Sequence, residues 1–139
     1  MCLLINVETT KKLIRENPDK LTVYKYLYET KYGELHSIFY PYLWKPGENF
    51  AFNYGELSAH KSTKAIQYTG FHVYITKEEA LKDAILFGDK VGDTTKTKLV
   101  EFEADINDLI WAGVWEGRST SAVFSKLNLI GEVYVSLDK

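Results

Sequence analysis

QYTGFHVYITKEEALKDAILFG, residues 67–88, holds a turn, a short strand, a capped helix and a helix stop in that order. Gly70 breaks the chain. Phe71, Val73 and Ile75 alternate with His72 and Tyr74, the period of a strand with one apolar and one polar face. Thr76 then stands at an N-cap. Glu79, three residues on, completes a capping box, in which the threonine oxygen takes an orphan helix N–H and the glutamate reaches back. Glu78 and Glu79 also suit the positive end of a helix. Ala80, Leu81, Ala84 and Ile85 form the stripe that would pack, Glu78 and Lys82 pair on the exposed side, and Gly88 is the stop.

Working outward, most other segments read as strands. Leu21–Glu29 (LTVYKYLYE) places Leu21, Val23 and Leu27 on one face and Tyr24, Tyr26 and Tyr28 on the other. Lys25 interrupts the aliphatic face, which predicts either an edge position with a snorkelling stem or an inward cation near a ligand. Leu35–Leu43 is a second aromatic strand, ended or bulged at Pro41; Trp44-Lys45-Pro46-Gly47 is a turn and Asn49–Tyr54 a third strand. Cys2–Val7 reads as a strand. Thr9 and Thr10 cap a brief helix over Lys11–Glu16, with Leu13 and Ile14 inward, closed by Asn17-Pro18-Asp19. Glu56–Ala65 and Asp89–Lys96 read as polar loops. Lys98–Ala104 alternates, with Leu99, Glu101 and Glu103 against Val100, Phe102 and Ala104. Asp105–Ala112 predicts a helical turn capped by Asp105, Val114–Ser121 a loop, and Ala122–Leu129 and Glu132–Leu137 strands. About seven strands that cluster, with two or three short helices, predict an α+β fold: a mainly antiparallel, aromatic-rich sheet in a single domain over residues 1–139.

Composition narrows the function. A net charge of −2 with only Arg15 and Arg118 as arginines argues against nucleic acid as a partner. The lone Cys2 excludes an internal disulfide framework and fits a reducing compartment. MCLLINVETT lacks a basic leader region, and no apolar run approaches the roughly 20 residues that span a bilayer. The predicted location is the cytoplasm, that of the host if the protein is phage-encoded.

No complete catalytic set is visible. There is no G-x-S-x-G elbow and no Walker A or G-x-G-x-x-G loop; His36, His60 and His72 are too scattered for a metal site, so neither metal nor resident cofactor is expected. Glu101 and Glu103, about 7 Å apart along one strand face, read as an acid–base pair or as a solvated face. Tyr24, Lys25, His72 and Tyr74 are candidate ligand-binding residues on the strands. Arg118, Ser119 and Ser121 are candidates on the late loop, where a guanidinium binds an anion in bidentate fashion.

The pieces Val23–Leu27, GFHVY…EEALKDA and the closing GEVYV resemble, in that order, the ADP-ribosyltransferase-like architecture. The resemblance implies an NAD-dependent transferase with Tyr74 as the stacking aromatic and Glu132 as the catalytic acid that orients the ribose. Lys25 or the tyrosines then stand where the family has a first-strand His or Arg. The layout VYK…GFHVY…EA…LVEFEADINDLIWAG…LNLIGEV also resembles small proteins of phages and mobile elements. That likeness implies an accessory or counter-defence protein that captures a nucleotide-like small ligand or a host protein, as a possible homo-oligomer. Three readings follow: a non-catalytic binding module, the transferase with NAD as its cofactor, and a structural or virion-associated protein.

Overall fold

The computed structural model describes residues 3–37, 42–51, 59–60, 70–83, 96–115, 119–130 and 134–135, with the backbone alone at 3–5, 59–60, 96, 115, 119 and 134–135. The fold is α+β, a mainly antiparallel sheet with short helices, as predicted. Its spine is the ladder between β2 (Lys20–Glu29) and β7 (Lys96–Asp105), in register from Lys20↔Asp105 to Glu29↔Lys96. Both contain runs read from the sequence as alternating strands. Their register puts Leu21, Val23 and Leu27 beside Ala104, Phe102 and Lys98 on one face, and Tyr24 and Tyr26 beside Glu101 and Leu99 on the other.

The sheet grows from this spine in two directions. Beyond β7 lie β10 (Lys126–Leu129) and β4 (Gly47–Phe50), and β11 (Tyr134–Val135) pairs with β7 further along. Beyond β2 come β6 (Phe71–Tyr74), β9 (Ser119–Phe124), β8 (Leu109–Trp115), β1 (Leu3–Ile5) and β5 (Ala59–His60), the last parallel to β1. β3 (Leu35–Ser37) occupies the C-terminal end of β2. The contact between β2 and β6 is narrow: Tyr24↔Tyr74 is the pair in register. The sheet is therefore two half-sheets, β4-β10-β7-β2 and β6-β9-β8-β1-β5, joined along one seam.

The core lies on the aliphatic face of both halves. Trp44 bridges the seam there, with its ring 4.5 Å from Phe71 in one half and 4.8 Å from Phe102 in the other. Its indole N–H donates to Ser37 Oγ at 2.9 Å. Such aromatic pairs add about 0.5–1.5 kcal/mol beyond area burial. Within β4, the buried Asn49 side chain accepts from the Lys45 N–H and donates to the Lys45 and Gly47 carbonyls, which fixes the predicted Pro-Gly turn at the start of the strand, with Gly47 at φ +84°.

The structure corrects several boundaries. Helix α1 (Val7–Glu16) starts earlier than expected and is capped by Asn6, whose Oδ1 accepts from the Thr9 N–H at 3.0 Å. Thr10 is inside the helix, and its Oγ1 lies 3.1 Å from both the N–H and the carbonyl oxygen of Ala112, which ties α1 to β8. Leu13 is buried but Ile14 is exposed, so the helix buries a narrow stripe. After β7 only Ile106–Asp108 winds into a 3-10 turn, with Asp105 as its cap; Leu109–Trp115, expected to be partly helical and partly loop, is β8. Its β-branched and aromatic residues pair with β9 from Leu109↔Phe124 to Trp115↔Ser119, and that pairing overrides the local capping signal. Ala59–His60, expected in a loop, pairs with β1.

Gly70 breaks the chain for a different reason than turn geometry. A Cβ there would collide with Val123 Cγ1 and stand 3.3 Å from the Phe124 carbonyl oxygen. Val123 is stiff and buried, so neither neighbour yields easily. Gly70→Ala should lower the urea-unfolding free energy by about 1–3 kcal/mol, the usual cost of overpacking; an unchanged midpoint would contradict this packing.

Candidate functional site

On the tyrosine face the seam is covered by α2 (Lys77–Leu81). The capping box forms by half. Thr76 Oγ1 accepts from the Glu79 N–H at 3.1 Å, as expected. The Glu79 carboxylate accepts instead from Lys82 Nζ and from the Thr120 N–H, both at 3.0 Å, and so pins the helix to β9. The helical ion pair is thus Glu79–Lys82 rather than Glu78–Lys82. Ala80 is buried as predicted, but Leu81 is exposed, and Ala84, Ile85 and Gly88 lie outside the described residues. The residue that α2 delivers into the interior is Asp83, which is 0% exposed.

Asp83 Oδ2 accepts from the Tyr74 hydroxyl at 2.7 Å, and the Tyr26 hydroxyl donates to the Ala80 carbonyl oxygen at 2.6 Å. The two rings meet edge to face at 5.8 Å. Burial, and then the Asp83 charge, push the Tyr26 hydroxyl far above the ordinary tyrosine range. His72 and Tyr74, read on the polar face of their strand, are both buried; α2 packs against β6, and Asp83 beyond it takes the Tyr74 hydroxyl. Lys25 is likewise neither at an edge nor solvated. It is 8% exposed, and its ammonium donates to the His72 carbonyl oxygen at 2.9 Å, across the seam.

The predicted site residues thus fall into three groups. Lys25, His72, Tyr74 and Ser121 converge on the seam and are buried, with Ser121 opposite Tyr74 on β9. Tyr24 is half-buried at the rim, opposite Glu101; burial, then Glu101 and Glu78, raise its hydroxyl pKa. Ser119 contributes backbone to β9, and Arg118 and Glu132 lie outside the described residues. Glu101 and Glu103 do share a face, but each has a local neighbour: Glu101 lies opposite Tyr24 in the ladder, and Glu103 lies 3.4 Å from Lys20 Nζ. Among the described residues no cluster of His, Cys, Asp and Glu is arranged to hold a metal ion, and no helix is long and apolar enough to cross a membrane.

A cleft of about 660 Å³ opens where the seam ends. Leu13, Leu21 and Ile75 supply its apolar lining, and Thr22, Thr76 and Glu103 are among its polar groups. It lies between the end of α1, the start of β2 and the turn from β6 to α2. Of these residues only Glu103 was weighed for chemistry from the sequence, as one of the carboxylate pair with Glu101, and none was assigned to a ligand site. The cleft exists because β2 and β6 part beyond Tyr24↔Tyr74, and strand divergence has no local sequence pattern. Fold and site together define an α+β sheet with a cleft at a strand seam. Comparison with family models, curated proteins and solved structures finds no match to this chain.

Two outcomes test the seam. Tyr74→Phe removes the bond to a buried carboxylate and should cost about 1.5–3 kcal/mol in urea unfolding, the range for bonds to charged groups. The pH dependence follows from Tyr24, Tyr26 and Tyr42, whose folded pKa values are all raised, in each case chiefly by burial. Above pH ~10 the unfolded chain sheds tyrosine protons that the folded chain keeps, so this stability is complete below that pH and declines as pH rises above it. Ultraviolet titration should show these phenols ionising later than in the denatured chain.

Proposed function

We propose that the protein is a non-catalytic binding module that takes a small ligand into the cleft at the open end of the seam. The cleft itself carries this reading. Its volume of about 660 Å³ falls in the range of small-molecule sites, and it combines apolar side chains with a few polar ones. Elsewhere along the seam the polar groups are already committed. Lys25 bonds to His72, Tyr26 to Ala80 and Tyr74 to Asp83.

Those commitments also weigh against transfer chemistry. The transferase reading needs the Tyr74 ring open to a nicotinamide, whereas Tyr74 is buried and bonded to Asp83. A phage-type accessory or counter-defence role in the cytoplasm belongs to the same proposal, since sequestration requires a cleft and no catalytic set.

Amide nitrogen–proton correlation spectra with a fragment library test the reading. Binding fragments should shift the amides of Leu13, Asn17, Thr22 and Ile75. Thr22→Trp, a change at an exposed lining position, should fill the cleft and abolish those shifts while the rest of the spectrum stays folded. Shifts confined to other surfaces, or unchanged in Thr22→Trp, would refute the cleft as the site.

A further inference from the structure

We infer that the ligand of this cleft is an organic cation, an amine or guanidinium carried on an apolar body; this rests on the cleft being a ligand site. The first ground is α1. This ten-residue helix brings its C-terminal end to the cleft, where Glu16, its last residue, and Asn17, its C-cap, both line the wall. That end of a helix carries about half a negative charge, and a carboxylate there works against the helix. A residue that breaks a local stability rule is expected where another requirement acts.

The opposite wall supports the same sign. Lys20 is the cation among the lining residues, and it is paired with Glu103. An anion would therefore meet Glu16, Glu103 and the helix end against one shared ammonium. A cation would meet a complementary field. Glu101 follows Glu103 on the same strand face, and with Glu78 it acts on Tyr24, two residues along β2 from Thr22. After burial, these two carboxylates are what raise the pKa of that phenol. The Thr22 and Thr76 hydroxyls are hydrogen-bond acceptors for an ammonium, and Leu13, Leu21 and Ile75 suit an apolar body. This chemistry redirects the expected nucleotide-like ligand away from phosphate.

Phenethylamine, hydrocinnamate and adenosine monophosphate separate the possibilities: an amine, a carboxylate of similar size and a nucleotide. In titrations followed by amide spectra, phenethylamine should shift the cleft amides, and Glu16→Gln should weaken it about tenfold, the loss of one charge-assisted contact. The same variant should unfold at an equal or higher temperature, since it removes a charge that opposes the helix dipole. A merely structural Glu16 would move stability and leave affinity alone. Tighter binding of hydrocinnamate or adenosine monophosphate at the same amides would overturn the cation and leave the cleft as a ligand site. Phenethylamine affinity unchanged in Glu16→Gln would do the same. If none of the three probes moves a cleft amide, the binding reading fails and the cation with it.

Discussion

One rung, Tyr24↔Tyr74, joins the two half-sheets in register, and the rest of the molecule is arranged around that thin contact. A ladder this short cannot hold two sheets by backbone bonds alone. Three sets of side chains make up the difference. Trp44 spans the joint on the aliphatic face, in contact with Phe71 and Phe102. Lys25 reaches across to the His72 carbonyl. On the far face Tyr26 and Tyr74 anchor α2 through Ala80 and Asp83. The register is also protected: a slip of one residue would turn Tyr74 into the aliphatic core and Val73 out of it.

Holding a seam with charged groups has a cost. A buried ammonium and a buried carboxylate each lose several kcal/mol of hydration, which only well-formed bonds offset. Lys25 and Asp83 both meet that condition, at 2.9 and 2.7 Å. Aliphatic residues in their places would fill volume but would not dictate which strand lies beside which. The fixed directions of these bonds suit a joint whose backbone pairing is minimal.

Much of the fold was legible because its signals are local. The alternation of Leu21–Glu29 and Lys98–Ala104 foretold the two strands of the central ladder, though not their pairing, and Thr76 foretold the start of α2. Leu109–Trp115 was misread in part because Asp105 is a true cap, but only of a 3-10 turn, and the partner that makes the following residues a strand is β9. His72 and Tyr74 were correctly placed on one face, yet whether that face is wet depends on where α2 folds. The cleft was the least legible feature, since its lining comes from three separate segments that local patterns treat independently.

Still, the seam left traces in the sequence, as residues that break their local pattern. Lys25 sits where its strand asks for an aliphatic side chain; Asp83, buried beyond the end of α2 and outside the apolar stripe read for that helix, gave no such sign. Each proved to be a strut between elements that share little backbone pairing. Glu16 breaks a different rule, a negative charge at the negative end of a helix, and it stands where the seam opens. In an aromatic-rich sheet of this kind, a charge at a position that local pattern assigns to something else marks a junction. A second side chain or backbone group close enough to complete the bond makes that junction a strut, as at Lys25. Glu16 differs from both Lys25 and Asp83: it lines the cleft at the open end of the seam, and there the departure from pattern supports the proposed site rather than the joint.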